Sequence, residues 1–406
     1  MLYVILAAVG LLAMLVARFS GRLRSMPMSP PLLGLALGVV IGPAVLDLAR
    51  VPAGEELAVM RTATRLLLAV ALMAIALRYP LRAARQRAWK VVLLVAVVMP
   101  AMGAAVGGLA VRLLGVPVAV AAAVGGALSP TDPVLASSAV AGQPAEASIP
   151  ARLREMLSLE AGANDGLALP LVVVATAMVT GSSPARGLGA ALVQVLVGLA
   201  IGLAVGTVAG ALMHKSPQDR DMERSALVLY TALLAFAVLG FVGAVHGDAL
   251  VGVFAAGLVY NYLATGGDRR AEAEIDEGMN HFLVLPVFVL FGMVLPWEAW
   301  ARLGWSGLAF AVAALVFRRL PWVMLVKRLL RLRWHEAVWL GWYGPIGVAA
   351  IFYLTHLPEL GVTDPIVWEA GTLVVVASTL AHGITSGVGP GLFQRANEYA
   401  VAEEGS

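Results

Sequence analysis

The sequence predicts an all-α, polytopic membrane protein of about thirteen transmembrane helices, two of them discontinuous and expected to cross, in an inverted-repeat arrangement. Three observations predict this. Apolar residue types make up 60% of the 406 residues and charged types only 13%, roughly half the charged share of a soluble domain. Mean hydropathy is +0.87, and runs of the roughly twenty apolar residues that cross a bilayer follow one another almost end to end. Two of these runs carry proline and glycine breaks where an uninterrupted helix is otherwise expected.

Taken in order, the spans are expected at 2–18, 30–48, 64–78, 91–111, 117–141, 156–180, 187–213, 225–245, 249–265, 279–297, 303–326, 337–356 and 366–389. The first has no basic residue before it and no cleavage pattern after it, so it reads as a retained helix. The seventh is the cleanest, with no charge from Gly187 to Met213. Residues 1–389 read as one transmembrane unit, with spans 1–6 and 8–13 as inverted repeats, span 7 linking them, and 390–406 as a short cytoplasmic tail. Lys and Arg set the orientation. Arg18, Arg22 and Arg24 follow span 1; Arg78, Arg82, Arg85, Arg87 and Lys90 follow span 3; Lys327, Arg328, Arg331 and Arg333 follow span 11. These are odd-numbered loops, which places the N-terminus outside and the C-terminus in the cytoplasm. Trp89, Trp297, Trp300, Trp305, Trp334 and Trp339 fall near span ends, where amphipathic rings prefer the interface. Gly103, Gly107 and Gly108 in span 4, and Gly202, Gly206 and Gly210 in span 7, suit close helix packing.

Several function classes fall away. The chain has no cysteine, which excludes disulfides, thiolate metal sites and cysteine catalysis. The net charge of +3 is carried in short patches between apolar runs, without the aromatic interleaving of a nucleic-acid surface. His214, His246, His281, His335, His356 and His382 show no metal-ligand spacing. No phosphate-cradling glycine loop and no cluster of catalytic polar residues stands out, so an enzyme is not expected. Asp248 reads as a solvated external loop residue. Asp268, Arg269, Arg270, Glu272, Glu274, Asp276 and Glu277 read as a wetted cytoplasmic loop.

Charged positions inside the spans carry the chemistry. Asp132 lies in Ser129-Pro130-Thr131-Asp132-Pro133. Two prolines so close disfavour regular helix, and irregular backbone at mid-membrane depth is tolerated only inside protein or against a wet cavity. Freed carbonyls and helix ends then suit an ion, with Thr131 able to add an oxygen. Glu160 and Asn164, four apart, share a helix face. Asp165 follows Asn164, and the next twenty residues, Gly166 to Ala185, are uncharged. A carboxylate this deep is costly unless paired, hydrated or ion-bound, and is therefore a functional candidate. Arg318 and Arg319 interrupt span 11 and need a carboxylate partner. Glu160 is the candidate, expected to pair with Arg318, with its neighbour Arg319 as the open alternative, against snorkelling to the nearby face. Span 12 carries Gly344-Pro345-Ile346-Gly347. Breaks in matching positions of two half-chains point to a transporter core.

These residues resemble the bacterial and archaeal branch of the monovalent cation:proton antiporter superfamily, the electroneutral sodium/proton antiporters. Leu128 through Val134 looks like the family's Thr-Asp motif in its unwound fifth helix. Glu160 to Asp165 looks like its Glu-x-x-x-Asn-Asp motif, Arg318 like the arginine that pairs with that glutamate, and His382-Gly383-Ile384-Thr385 like the closing motif of the last helix. The resemblance implies a homodimer in the cytoplasmic (inner) membrane. Each protomer is then a dimerisation part with a mobile six-helix core of spans 4–6 and 11–13, without cofactor. Asp165 is expected to hold either a proton or the cation, with Asp132, Thr131 and backbone carbonyls as further cation ligands. Asn164 stands where electrogenic relatives carry an additional carboxylate. The function so implied is electroneutral exchange of Na+ for H+ by alternating access, serving pH homeostasis; K+/H+ exchange on the same fold and a cation channel are the alternatives. Two positions depart from the pattern. Ala161 stands where many relatives have a serine, and Ile346 where many have an arginine. Both bear on which cation is taken.

Overall fold

The computed structural model describes residues 2–19, 29–79, 81–140, 143–214, 224–264 and 283–404, and every regular element among them is helical. Arg22, Arg24, Asp219, Arg220, Asp221, Glu223, His281, the acidic run from Asp268 to Glu277, and the start of the tenth expected span lie outside the described residues. The chain opens with α1 (Leu2–Arg18), α2 (Pro30–Ile41) and α3 (Glu56–Arg78). Next come α4 (Leu81–Leu93), a π-helical turn (Leu94–Val98) and α5 (Met99–Leu114), continuous as one rod. The fifth expected span is two pieces, α6 (Val118–Ala127) and α7 (Pro133–Val140), followed by the short α8 (Gln143–Ser148). The sixth is α9 (Ala151–Leu167) and α10 (Leu169–Thr180). Then follow α11 (Pro184–His214), α12 (Arg224–Ala244), α13 (Ala249–Leu263) and α14 (Leu283–Met293). The last part is α15 (Trp297–Phe317), α16 (Leu320–Leu330), α17 (Trp334–Trp342), α18 (Val348–His356) and α19 (Pro365–Glu404). Six stretches among the described residues are long and apolar enough to cross a membrane, and the protein is a multi-pass membrane protein.

The differences from expectation have local causes. The second span ends at Ile41, not 48, because Pro43 pushes Gly42 into extended backbone (φ −75°, ψ −176°). Asp47 then takes a left-handed conformation (φ 50°) and pairs with Arg50 at 2.5 Å. The guanidinium holds the exposed Asp47 carboxyl below the usual aspartate range. The third span starts at Glu56 rather than 64; Arg61 and Arg65 on its early turns hid it from a hydropathy reading. Arg82, Arg85, Arg87 and Lys90 are helical rather than loop residues, spread along α4 with Lys90 in its last turn. Segment 390–406 continues α19 as helix to Glu404. Trp89, Trp297, Trp305 and Trp334 are exposed, as interfacial rings are, but Trp339 is buried against Tyr343 and Phe393.

The main core is built from α3, α6, α13, α18 and α19, with aliphatic side chains and alanines filling it. The stripe Gly198, Gly202, Gly206 on α11 lies against Asp248, Gly252 and Ala256 at the head of α13. A methyl group on Gly202 would overlap the Gly252 carbonyl. Small residues four apart let the two backbones touch, which is how helices gain dispersion contacts without a hydrophobic drive. This packing brings α13 up against α9 and so fixes what surrounds the site.

Candidate functional site

Two interruptions meet at the centre of the molecule. Backbone 128–132 separates α6 from α7, and 343–347 separates α17 from α18. The Asp132 N–H donates to the Pro345 carbonyl at 2.9 Å, a direct bond from one break to the other. Each break leaves one helix C-terminus and one N-terminus inside the protein, two of each in all, and their backbone groups need partners.

Asp132 serves both N-termini. Its Oδ1 accepts from Val134 N at 2.7 Å and Leu135 N at 2.9 Å, at the start of α7. Its Oδ2 accepts from Val348 N at the start of α18. Gly347 makes this possible, because a Cβ there would occupy the space of the Asp132 carboxylate. Arg318 serves the opposite ends. Its guanidinium donates to the carbonyls of Leu128, Ser129 and Pro130 at 3.0, 3.1 and 3.0 Å, and to the Gly344 carbonyl. A fixed anion thus sits at the positive ends of two half-helices and a fixed cation at the negative ends.

This overturns one expectation. The partner of Glu160 is Arg319, not Arg318. Arg319 Nη1 and Nη2 meet Glu160 Oε1 and Oε2 at 2.9 and 3.0 Å, a bidentate pair with both side chains at most 2% exposed. The chain is interrupted between α15 and α16, so the two arginines leave the junction in different directions. Gly344 gives room for the Arg319 stem, which a Cβ at that position would strike.

Thr131 and Asn164 belong to the Glu160 cluster. Asn164 Nδ2 donates to Thr131 Oγ1 at 2.6 Å and to Glu160 Oε1 at 2.8 Å. Thr131 Oγ1 lies 3.3 Å from Glu160 Oε2, and Thr131 N donates to Asn164 Oδ1 at 3.2 Å. Their side-chain hydrogen bonds go to this cluster, and the Asp132 oxygens go to backbone N–H groups.

Asp165 differs from all of these. It is fully buried, on α9, and neither carboxylate oxygen has a hydrogen-bond partner. Asp132 and Glu160 lie within electrostatic range of it. Its main chain is held by Tyr353 of α18, whose hydroxyl donates to the Asp165 carbonyl and to that of Gly166 at 3.4 Å. The geometry therefore presents one buried carboxylate free of internal bonds beside a saturated set of fixed charges. Such a group fits a proton or a small cation. Ala161 and Ile346, the two departures, are both buried apolar positions. The Ile346 N–H donates to Ser378 Oγ at 2.8 Å.

The sequence reading favoured Arg318 and left Arg319 as the alternative for the pair, and it missed Tyr353, Ser378 and Asp248. Asp248 is not a solvated loop residue. It is buried and caps α13; an aspartate directly before an apolar helical run was the available signal. His382 and Thr385, by contrast, hold the first half of the second interrupted span. His382 Nε2 lies 2.8 Å from the Trp342 carbonyl, Trp342 Nε1 donates to Thr385 Oγ1 at 3.1 Å, and Tyr343 Oη donates to the Thr385 carbonyl at 2.9 Å.

Comparisons with known proteins bear on this site. The family model described as sodium/hydrogen exchanger, transmembrane, matches residues 8–388. A Na(+)/H(+) antiporter of Saccharomyces cerevisiae is 28% identical over 331 residues, covering 78% of this chain and 33% of that protein. A Na(+)/H(+) antiporter of Schizosaccharomyces pombe is 28% identical over 293 residues, covering 64% of this chain and 62% of that protein. The chain thus spans a third of the length of one relative and less than two thirds of the other. Among solved structures, the sodium proton antiporter MjNhaP1 from Methanocaldococcus jannaschii is similar with a TM-score of 0.75 at 18% identity, over 98% of each chain. Its structure at pH 8 gives 0.68, also at 18% identity, over 95% of this chain and 94% of that one. The likeness shows a shared fold. The two curated relatives are fungal, and the archaeal structure, at 18% identity, bears on the fold alone.

Proposed function

The chain belongs to the sodium/hydrogen exchanger family, and on that premise we propose that it exchanges a monovalent cation, Na+ first, for H+ by alternating access at Asp165. The observation that carries this reading is the pair of unpartnered oxygens on a fully buried Asp165. A proton or a cation neutralises the carboxylate, and either neutral state crosses the low-dielectric barrier. The bare anion does not cross readily, so the two fluxes are coupled. The neighbours support exchange at one position rather than an open pore. Thr131, Asn164, Glu160 and Asp132 are all held by internal bonds and keep their place while Asp165 changes occupant. Asp132 acts as a charge that holds both breaks together, and Thr131 and Asn164 as the link between them and the Glu160–Arg319 pair.

The scaffold reading follows the same lines. Spans 4–6 and 11–13, which contain both breaks and both arginines, form the mobile core. The remainder, with the outward-facing apolar surfaces of α1 and α11, meets the lipid and a second protomer. The Lys and Arg clustered after the odd-numbered spans support an N-terminus outside and a C-terminus in the cytoplasm.

The test is proton flux into proteoliposomes driven by Na+, K+ or Li+ gradients in turn, over a pH series. Wild-type protein is expected to move protons against Na+. Asp165→Asn is expected to reduce the flux to the background of empty vesicles while its thermal midpoint holds, because the amide keeps the shape and removes the titrating group. Wild-type flux in Asp165→Asn would overturn the assignment.

A further inference from the structure

Asp248 has no part in the exchange described above. It closes the connection between α12 and α13, where the chain reverses through His246 in a left-handed conformation (φ 58°). Its backbone N–H donates to the Gln194 carbonyl of α11 at 2.8 Å, which holds the turn against that helix. One carboxylate oxygen, Oδ1, caps α13, accepting from Leu250 N at 3.0 Å and Val251 N at 3.1 Å. The other, Oδ2, is buried and has no hydrogen-bond partner, on a residue only 6% exposed. A cap needs one oxygen, and asparagine or serine supplies it without charge. The helix dipole favours a charge at this position, but the second oxygen, Oδ2, is left without a protein partner.

Its surroundings point to an ion. Asp248 lies against the residue that follows Asp165: a Cβ on Gly166 would be 3.2 Å from Asp248 Oδ1. Tyr353, which holds the main chain of Asp165 and Gly166, has its hydroxyl in electrostatic range of both carboxylates. Arg65 of α3, beside Gly243, is the basic side chain that acts on Asp248. Carboxylate, phenol and carbonyl oxygens are hard donors of the kind alkali cations take.

We propose that Asp248, with the Tyr353 hydroxyl, is a second binding station for the transported monovalent cation, beside Asp165 and on the α13 side of α9. The proposal rests on the exchange reading and deepens it. A cation held at Asp248 would sit on the α13 side of α9, where the Asp248 carboxylate meets Gly166, the residue that follows Asp165. Two bare carboxylates at this depth are unfavourable together, so Arg65 offsets Asp248 when the cation has moved on. The capping bonds through Oδ1 persist throughout, so the helix does not unwind as the ion comes and goes.

The experiment measures equilibrium binding of radioactive sodium, and of rubidium as a potassium stand-in, to purified full-length protein. The variants are wild type, Asp165→Asn, Asp248→Asn, Asp248→Ser and the Asp165→Asn/Asp248→Asn double variant. Asn and Ser keep the cap and remove the charge, and a thermal midpoint near the wild type for either one shows an intact fold. Asp165→Asn is expected to lose exchange yet keep saturable binding of one of the two ions, and the double variant to lose that binding. In proteoliposomes, Asp248→Asn and Asp248→Ser are expected to raise the KM for the cation roughly ten-fold, the worth of one charge-assisted contact. Loss of all binding in Asp165→Asn alone, or wild-type KM in both Asp248 variants, overturns the station and leaves Asp248 a helix cap. Absence of proton flux in the wild type instead removes the exchange reading, while the binding comparison still decides the station.

Discussion

Glu160 and Arg319 are each nearly inaccessible to solvent and meet through two parallel bonds. Removing one partner of such a pair leaves an uncompensated charge in a low-dielectric interior, which costs about 3–5 kcal/mol. Glu160→Gln or Arg319→Met is therefore expected to lower the thermal midpoint of the detergent-purified protein clearly. The double variant Glu160→Gln/Arg319→Met is expected to fall less than the sum of the two. Unchanged midpoints in both single variants would show that the pair is not a buried prop. Arg318→Lys should also destabilise, because a lysine cannot span four carbonyls on two chain segments at once. The sequence leads one to expect a carboxylate for a buried arginine and offers Glu160, although Arg318 is satisfied by backbone carbonyls instead. It does not show which of two adjacent arginines takes that carboxylate. That choice depends on the rotation of the chain at the junction between α15 and α16, and a break resets helical phase in a way that composition does not encode.

At the scale of elements, the breaks were legible and their mutual register was not. Pro130 with Pro133, and Gly344 with Pro345, disfavour continuous helix on chemical grounds, and 128–132 and 343–347 are where the helices stop. That one aspartate caps two half-helices, and one arginine collects the carbonyls of two others, depends on the bond from Asp132 to Pro345, between residues more than two hundred positions apart. Hydropathy also misplaced the starts of α3 and α4, because both begin with arginines on helical turns. Gly347 is the sensitive point of this arrangement. Gly347→Ala places a methyl group on the Asp132 carboxylate and forces the two breaks apart, so cation-driven proton flux is expected to be largely lost, with a lower thermal midpoint. Gly108→Ala, where an added Cβ meets nothing within 4 Å, is the matched control. It is expected to stabilise slightly, by up to about 1 kcal/mol, through helix propensity, and to leave flux intact. Equal losses in the two variants would remove the argument from close approach.

The charges of the whole core decide what its movement transfers across the membrane. Asp132 and Glu160 are fixed anions, and Arg318 and Arg319 fixed cations, all buried and all held by internal bonds. The two pairs cancel. Asp165 is the carboxylate left over, and on the proposed exchange reading one proton or one monovalent cation would cancel its charge. On that reading a core loaded either way would be neutral, and one-for-one exchange would move no net charge. Asp248 lies outside this count, on the α13 side, and is offset by Arg65. One elementary charge crossing the membrane is worth about 2.3 kcal/mol per 100 mV, so a net charge per cycle would shift the exchange equilibrium about fifty-fold at that potential. Proteoliposomes clamped at zero and at 100 mV are expected to reach the same cation-to-proton gradient ratio. A ratio that shifts with potential would mean that a second carboxylate changes occupancy during the cycle. Asp248→Asn in the same clamped vesicles then identifies it, since abolishing the shift there would assign the extra charge to that residue.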